Sequence, residues 1–310
     1  MPGIGAVLIL HTCMTAPSRR SGGCVWEMGV NTNMLLAGLT AVSVLTLGGS
    51  ALAQSAQAAP PAAVTQPPPD EDRPHPMEPD FKIENLPTTL MMPARKLSFS
   101  MTHRFNGNLR QGSFLDQLEW LFGLDNGAAI GLELRYAPVR RLQAVIFRTN
   151  IERTIQLYAK YDWFRQGGGM PVSISPVVSV EGIANLRDHH QPALGASISR
   201  MFGNRLSAYA VPVWVHNVLE VGEDRDTTFI GVGGRLQIAN RTFLVGEASP
   251  RVAGFKAGET MYGFGIEKRV GGHVFQLNFT NTSATTFGQI ARGGFPKSLY
   301  LGFNLTRKFY

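Results

Sequence analysis

Cysteine is almost absent from this chain of 310 residues, which contains only Cys13 and Cys24. Both precede Gln54, the residue at which we predict that the mature protein begins, so the folded protein would have no thiol and no disulfide. This excludes zinc–thiolate sites and cysteine nucleophiles. We expect neither a metal site nor a cofactor.

Charge is also sparse, at 16% of residues, and no apolar run of about eighteen residues occurs outside the N-terminal region. The first feature argues against a disordered chain, and the second argues against a helical membrane protein. The formal net charge is +7, but Lys and Arg are scattered along the chain, so binding to nucleic acid is not predicted.

Residues 1–53 have the organisation of a secretory signal peptide. An apolar stretch, Met34–Leu47, is followed by Ala51-Leu52-Ala53, a cleavage pattern that leaves Gln54 as the first mature residue. The unusual residues before the apolar stretch favour either a translation start at Met28 or a signal peptide with a long N-terminal region. A membrane anchor is the weaker alternative, because the apolar core is shorter than the roughly 20 residues that span a bilayer.

Residues 54–86 are rich in proline and alanine and include Pro67-Pro68-Pro69. Such a composition cannot bury a core, so we predict an extended periplasmic linker there. The remainder, residues 87–310, is predicted to be the folded domain.

From Lys96 onward, apolar and polar residues alternate in short runs, the period of a strand with one apolar face. We count twelve runs; the phase is ambiguous in two of them, Leu142–Thr149 and Thr242–Ala248. Short connections alternate with long ones, as in outer-membrane barrels. The predicted fold is therefore all-β: a transmembrane antiparallel up-and-down β-barrel of about twelve strands, of outer-membrane type.

The last thirteen residues, Ser298–Tyr310, form the strand that would close this barrel. They resemble the C-terminal signal by which bacterial outer-membrane barrels are recognised for assembly, although Phe309 rather than the final residue is in phase with the apolar face. The residues that carry this signal are Phe303, Leu305, Phe309 and Tyr310. The expected partners are the barrel-assembly machinery and outer-membrane lipid, and the expected location is the bacterial outer membrane.

The polar face of the strands predicts which side chains line the lumen. The charged candidates are Arg104, Glu133, Arg135, Lys160, Asp162, Glu181, Arg235 and Glu267. Bases and acids are balanced, which favours salt bridges across the lumen that narrow or close it. A strongly selective pore would show a ring of one sign. The charges would either stiffen a barrel with a structural role or line a narrow, weakly selective channel.

A short amphipathic helix is predicted in the first long loop, over residues 114–122. It could cap the barrel or fold inward as a plug, with Phe114, Leu118, Trp120 and Phe122 as the packing residues. Packing on the outer rim is the favoured alternative, because apolar loop segments usually pack locally.

Three groups of motifs carry a family resemblance. They are Leu97 with His103-Arg104-Phe105, the passage from Phe122-Gly123-Leu124-Asp125 through Gly131 to Leu134-Arg135-Tyr136, and Ala159-Lys160-Tyr161. Together they resemble an uncharacterised bacterial family of outer-membrane β-barrels, a domain of unknown function, over about Leu86 to Tyr310. The resemblance implies the fold and the compartment and brings no catalytic residues.

We predict a narrow passive channel for small solutes and not an enzyme. The alternatives are a structural barrel without transport and an outer-membrane hydrolase, lipase-like or protease-like, that acts through its outer loops. The barrel lipase pattern, a His-x-Ser pair with the base beside its nucleophile, does not occur in the sequence. Protease-like chemistry would have to use Asp188-His189-His190 and Glu223–Asp226 on neighbouring loops.

Overall fold

The structure is a computed structural model that describes residues 75–219 and 224–310. The predicted signal peptide and residues 54–74 of the predicted linker lie outside the described residues. No helix within the described ranges is both long enough and apolar enough to cross a membrane.

The described residues form a closed antiparallel β-barrel, in which every strand except the short β10 pairs with the strands before and after it along the wall, and β1 pairs with the last strand. The strands are β1 (Leu97–Asn108), β2 (Ala128–Val139), β3 (Leu142–Thr149), β4 (Ile155–Tyr161), β5 (Ser173–Gly182), β6 (Asp188–Phe202), β7 (Leu206–Leu219), β8 (Asp224–Ala239), β9 (Thr242–Ser249), β10 (Arg251–Ala253), β11 (Met261–Val270), β12 (His273–Thr280) and β13 (Tyr300–Lys308). Three short α-helices lie in the connections: α1 (Phe114–Glu119), α2 (Ile183–Leu186) and α3 (Phe287–Ala291). Two 3₁₀ stretches, Leu121–Asn126 and Ile151–Arg153, complete the helical elements.

β10 continues β9 after Pro250, and both pair with β8. The wall therefore has twelve strands, which confirms the predicted fold and strand number.

The alternation of the sequence places apolar side chains on the outside of the wall. Leu134 is 45% exposed and Phe99 is 36% exposed, whereas Ser98, Ser100 and Arg104 on the opposite phase are buried. Successive strand residues point to opposite faces, so one face meets the surroundings and the other faces the lumen.

The two ends of the barrel differ. One end, the turn end, carries the tight connections β2–β3, β6–β7, β8–β9 and β11–β12 and the start of β1. The other, the loop end, carries the connections of residues 109–127, 250–260 and 281–299. Two other connections at this end are short, because β5 continues to Gly182 and β6 starts at Asp188, and β7 continues to Leu219 and β8 starts at Asp224.

The lumen is filled by two segments of the same chain. Residues 77–92, the lumen hairpin, enter from the turn end, and residues 281–294, the lumen loop, enter from the loop end; almost all of these residues are buried. The prediction of an extended linker is therefore wrong for residues 75–86. Apolar side chains at Met77, Phe81 and Ile83 give this stretch a core-forming pattern that residues 54–74 lack.

Part of the inner wall is apolar, which the sequence analysis did not anticipate. Tyr209, Val211, Val213 and Val215 of β7 face inward and are at most 4% exposed. They share a core with the lumen hairpin and the lumen loop. The two strands with ambiguous phase, β3 and β9, likewise turn apolar residues inward, so apolar and polar residues are mixed on their inner faces.

Candidate functional site: a barrel lumen closed by two inserts

The lumen hairpin reverses direction deep inside the barrel. The Ile83 amide donates to the Leu86 carbonyl at 2.9 Å, and the Thr88 amide donates to the Phe81 carbonyl at 2.9 Å. Its tip is therefore Glu84 and Asn85, and both of its arms leave through the turn end. A hairpin inserted in this way can withdraw without threading a chain end through the barrel.

One wall carboxylate, that of Glu247 on β9, holds the tip. It accepts hydrogen bonds from the backbone amides of Glu84, Asn85 and Leu86 at 3.0 to 3.1 Å and from the Asn85 side chain at 3.0 Å. Glu247 thereby fixes the position of the tip.

Glu84 itself is less well satisfied. Both oxygens of its buried carboxylate have no hydrogen-bond partner within the described ranges. Burying a polar group without a partner costs about 1–3 kcal/mol. The inserted hairpin therefore contains one group that opposes its own insertion.

The carbonyl groups of the hairpin are bound by side chains from the whole circumference of the wall. Gln276 on β12 donates to the Ile83 carbonyl, and Asn304 on β13 donates to the Glu84 carbonyl at 2.9 Å. From the opposite side, Lys160 on β4 donates to the Leu90 carbonyl at 2.8 Å. These polar wall residues replace the water that an empty lumen would contain.

All eight charged lumen candidates are buried, at 0–2% exposure, and face inward. Glu133 accepts from Arg135 two residues along the same strand at 2.7 Å and pairs with Lys82 of the hairpin at 2.9 Å. Arg235 on β8 binds Glu267 on β11, with Nε–Oε1 at 3.0 Å. The wall pairs therefore join nearby positions rather than opposite sides, and it is the inserted chain that fills the centre.

The other candidates divide between the hairpin, the turn end and the lumen loop. Arg104 binds Asn304 at 2.8 Å and the Asn85 side chain at 3.2 Å. Asp162, at the turn end, accepts from Arg165 at 2.5 Å and from Arg141 at 3.5 Å.

Glu181 on β5 positions the lumen loop. It accepts from the Thr286 hydroxyl at 2.7 Å and from the Gly288 amide at 2.9 Å. Thr286 caps α3, whose five residues are all buried. The wall thus satisfies the N-terminus of α3, which would otherwise expose unpaired amides in the lumen.

The two inserts meet in the middle of the barrel. Pro87 of the hairpin and Phe287 of the loop line the same void, which measures about 10 Å³. A much larger cavity, of about 1080 Å³, lies at the turn end between the hairpin arms and the connections of the wall. Its lining includes Met91, Arg141 and the stacked pair Trp163–Phe164, whose ring centroids are 4.8 Å apart.

The predicted helix in the first long loop exists as α1, but it does not fill the lumen. Phe114, Leu118, Trp120 and Phe122 are 71%, 49%, 44% and 37% exposed. Of the alternatives, an inward plug at these residues is wrong, because the interior is already occupied, whereas packing on the outer rim, the favoured alternative, agrees with the structure. The segment packs against β1 and β13 instead.

The remaining predicted residues have these positions. Phe303 and Leu305 lie on the outward phase of β13, and Phe309 and Tyr310, just beyond it, are 51% and 40% exposed. At the loop end, His216 Nδ1 lies 2.7 Å from Asp226 Oδ1, and His189 Nε2 lies 2.8 Å from the Asn217 carbonyl. In the described part of the chain, no group of three or more His, Cys, Asp and Glu side chains is arranged to hold a metal ion.

Sequence reasoning missed the lumen hairpin and the lumen loop. The signal for the hairpin was present: Met77, Phe81 and Ile83 interrupt the proline-rich composition with large apolar residues. The signal for the loop was the run of small and amide residues around Gly288 and Gln289. Neither segment contains the alternation of apolar and polar residues from which the barrel was predicted.

Comparison with known proteins assigns the barrel to a family. The model of the "membrane bound beta barrel domain (DUF5777)" matches residues 80–309. No curated protein matches the chain. Solved structures that match the chain include the KdgM porin (TM-score 0.45, 8% identity, 69% of this chain and 99% of that chain) and the KdgM porin in complex with disordered oligogalacturonate (0.46, 8%, 69% and 99%). A triple mutant of the Rhodopseudomonas blastica porin also matches, with a TM-score of 0.33 and 12% identity over 58% of this chain and 55% of that one. The chain belongs to the DUF5777 family of membrane-bound β-barrel domains.

Proposed function

We propose that this protein is a narrow passive channel for small solutes in the bacterial outer membrane, closed in the described state by the lumen hairpin. We place the turn end in the periplasm and the loop end outside the cell, as in other barrels with short periplasmic turns. The observation that carries the proposal is the combination of a polar inner wall with an insert whose two arms leave through the same end.

The inner wall is suited to contain water. Its inward-facing residues include hydroxyl, amide and charged side chains on most of the strands, and these now bind the backbone of the hairpin. If the hairpin withdraws, water can take over the same hydrogen bonds. A barrel with a purely structural role would gain more stability from an apolar core.

The hairpin is held by bonds that can be exchanged. Its contacts to Glu247, Lys160 and Asn304 are hydrogen bonds to backbone groups, and Glu84 remains without a partner within the described ranges. The lumen loop stays behind as the constriction, because Glu181 holds it independently of the hairpin. This arrangement favours a narrow pathway over a wide one.

A reversible cross-link tests whether the hairpin controls conduction. The hydroxyls of Thr89 in the hairpin and Ser199 on β6 are 2.6 Å apart, so Thr89→Cys with Ser199→Cys places two thiols next to each other once Cys13 and Cys24 are changed to serine. We expect the parent protein to show discrete conductance steps in a planar bilayer. The double cysteine variant should lose these steps after oxidation and regain them after reduction.

The single variants Thr89→Cys and Ser199→Cys serve as controls and should conduct under both conditions. Conductance that persists in the oxidised double variant would show that the pathway does not depend on the hairpin. Silence of the parent protein and of Glu247→Ala, with insertion demonstrated by heat-modifiable migration on a gel, would overturn the channel assignment.

The charged lining gives a second test. Glu267→Gln with Asp162→Asn removes the two carboxylates that pair with Arg235 and with Arg141 and Arg165. The pathway gains positive charge, so we expect permeability to shift a few-fold toward anions. The reversal potential in a salt gradient measures this, and an unchanged value would contradict the assignment of these residues to the pathway.

A further inference from the structure

The outer loop segment, residues 109–126, is a built element rather than an irregular loop. Ser113 caps α1: its hydroxyl accepts from the Asp116 amide at 3.3 Å, and its own amide donates to the Asp116 carboxylate at 2.6 Å. The hydrogen bonds from Ser113 lower the pKa of Asp116. A capped helix and the 3₁₀ stretch that follows hold a fixed arrangement of side chains.

This segment lies against the outside of the wall. Gly123 meets Gly107 of β1 so closely that an added Cβ on either residue would overlap the other's backbone. The Arg110 guanidinium donates to the Tyr262 hydroxyl at 3.1 Å. Tyr262 lies on the outward phase of β11, together with Phe264, which is 49% exposed.

The segment presents a dense apolar surface. Its most exposed large side chains are Phe114 (71%), Leu115 (73%), Leu118 (49%), Trp120 (44%), Leu121 (52%) and Leu124 (44%). On a surface that meets water, a patch of this kind marks an interaction site. β1 and β13, on which the segment packs, carry an outward-facing aromatic cluster of His103, Phe105 and Phe303, in which the His103 and Phe303 rings stack at 4.8 Å.

Polar groups accompany this surface in the manner of an interfacial helix. Glu119 and Asp125 are exposed on the same short segment, and Asp116 is half-buried beside them. Helices that lie in the membrane plane have a strongly polar face beside an apolar one, and tryptophan is enriched at the boundary between lipid and water.

We propose that the outer loop segment is a membrane anchor that lies in the lipid–water interface at the loop end, with Phe114, Leu115 and Leu118 in contact with acyl chains. The occupant of this surface is lipid, because the segment packs on the outward face of a membrane-bound wall and extends its apolar band. The anchor ties the first loop of the barrel to the bilayer and keeps it away from the mouth.

Trp120 provides a direct test in the full-length barrel. After Trp26, Trp163 and Trp214 are changed to phenylalanine, Trp120 is the remaining tryptophan. In phosphatidylcholine vesicles we expect its fluorescence to be quenched strongly by lipids brominated near the headgroup, less by lipids brominated near the chain ends, and little by aqueous iodide. A matched variant that keeps only Trp214, an outward-facing residue of β7, reports that the barrel has inserted.

Two outcomes would overturn the proposal. Quenching of Trp120 by iodide and not by brominated lipid would place the segment in water. Protection from both quenchers that disappears on dilution into excess lipid would identify a second copy of the chain as the occupant.

A second variant, made in the same single-tryptophan background, tests the side chains that are proposed to contact lipid. Leu115→Asp with Leu118→Asp should release the segment and make Trp120 accessible to iodide, while the barrel remains heat-modifiable. The control Leu115→Ile with Leu118→Ile should behave as the parent. Unchanged quenching in the aspartate variant would contradict anchoring by these side chains.

Discussion

Two segments at the loop end begin alike and finish on opposite sides of the wall. α1 and α3 are both short helices that start with phenylalanine, and their N-termini are capped by Ser113 and Thr286. Yet every residue of α3 is buried in the lumen, whereas Phe114 of α1 is 71% exposed on the outside. Helix propensity and capping therefore do not decide which loop fills a barrel.

The difference lies in side-chain size and in the partners that the wall supplies. α3 contains Gly288 and Ala291, which fit a narrow space, and its amide and hydroxyl donors meet the carboxylate of Glu181. α1 contains Leu115 and Leu118, which would not fit in an interior already filled by the lumen hairpin. An insert enters the lumen when its shape fits the space and the wall satisfies its polar groups.

The largest effect is expected from removing the fit of the lumen loop. A Cβ at Gly288 would overlap the carboxylate of Glu181 and the amide of Gln191, so Gly288→Val should overpack the lumen, cost about 1–3 kcal/mol and displace the loop. With Ala291→Cys as reporter, we expect fast labelling of the cysteine at position 291 by an aqueous maleimide, against slow labelling in the parent.

Gly246→Val is the matched control for this prediction. A Cβ there would meet its nearest atoms at 3.7 and 3.9 Å, which is ordinary contact. Its labelling rate should equal that of the parent. Equal rates for both valine variants would mean that size does not keep the loop inside.

The next effect comes from removing the wall partner while the loop itself is unchanged. Glu181→Ala leaves the Thr286 hydroxyl and the Gly288 amide without their acceptor, which costs about 1–3 kcal/mol for buried donors. Labelling of the cysteine at position 291 should rise. Glu181→Gln keeps an acceptor oxygen, so labelling should rise less in this variant. If labelling increased in neither variant, other contacts would hold the loop.

The wall of the barrel could be predicted from the sequence, but its contents could not. Alternation along the strands predicted the fold, the strand number and the inward direction of side chains such as Arg135 and Glu267, because a strand has only two faces. It failed for β7, where Val211 and Val213 face inward, since an apolar face indicates contact with lipid only when the lumen contains water. Here the lumen contains protein. The inserts themselves could not be found by periodicity, because a hairpin or loop that fills a cavity takes its conformation from the wall.

The smallest effect separates the interior contacts of the lumen loop from its latch at the rim. Arg292, just after α3, donates to both carboxylate oxygens of Glu152 at 2.9 and 2.8 Å, but these side chains are 26% and 35% exposed. A partly solvated pair of this kind contributes about 0.2–1 kcal/mol and weakens with salt. Glu152→Gln should therefore raise labelling of the cysteine at position 291 only slightly, and the increase should vanish in high salt. If Glu152→Gln instead raised labelling as much as Glu181→Ala, the ion pair at the rim would hold the loop inside, and the match between its polar groups and the wall would not. The difference between α3 and α1 would then be explained by this ion pair, which α1 lacks within the described residues.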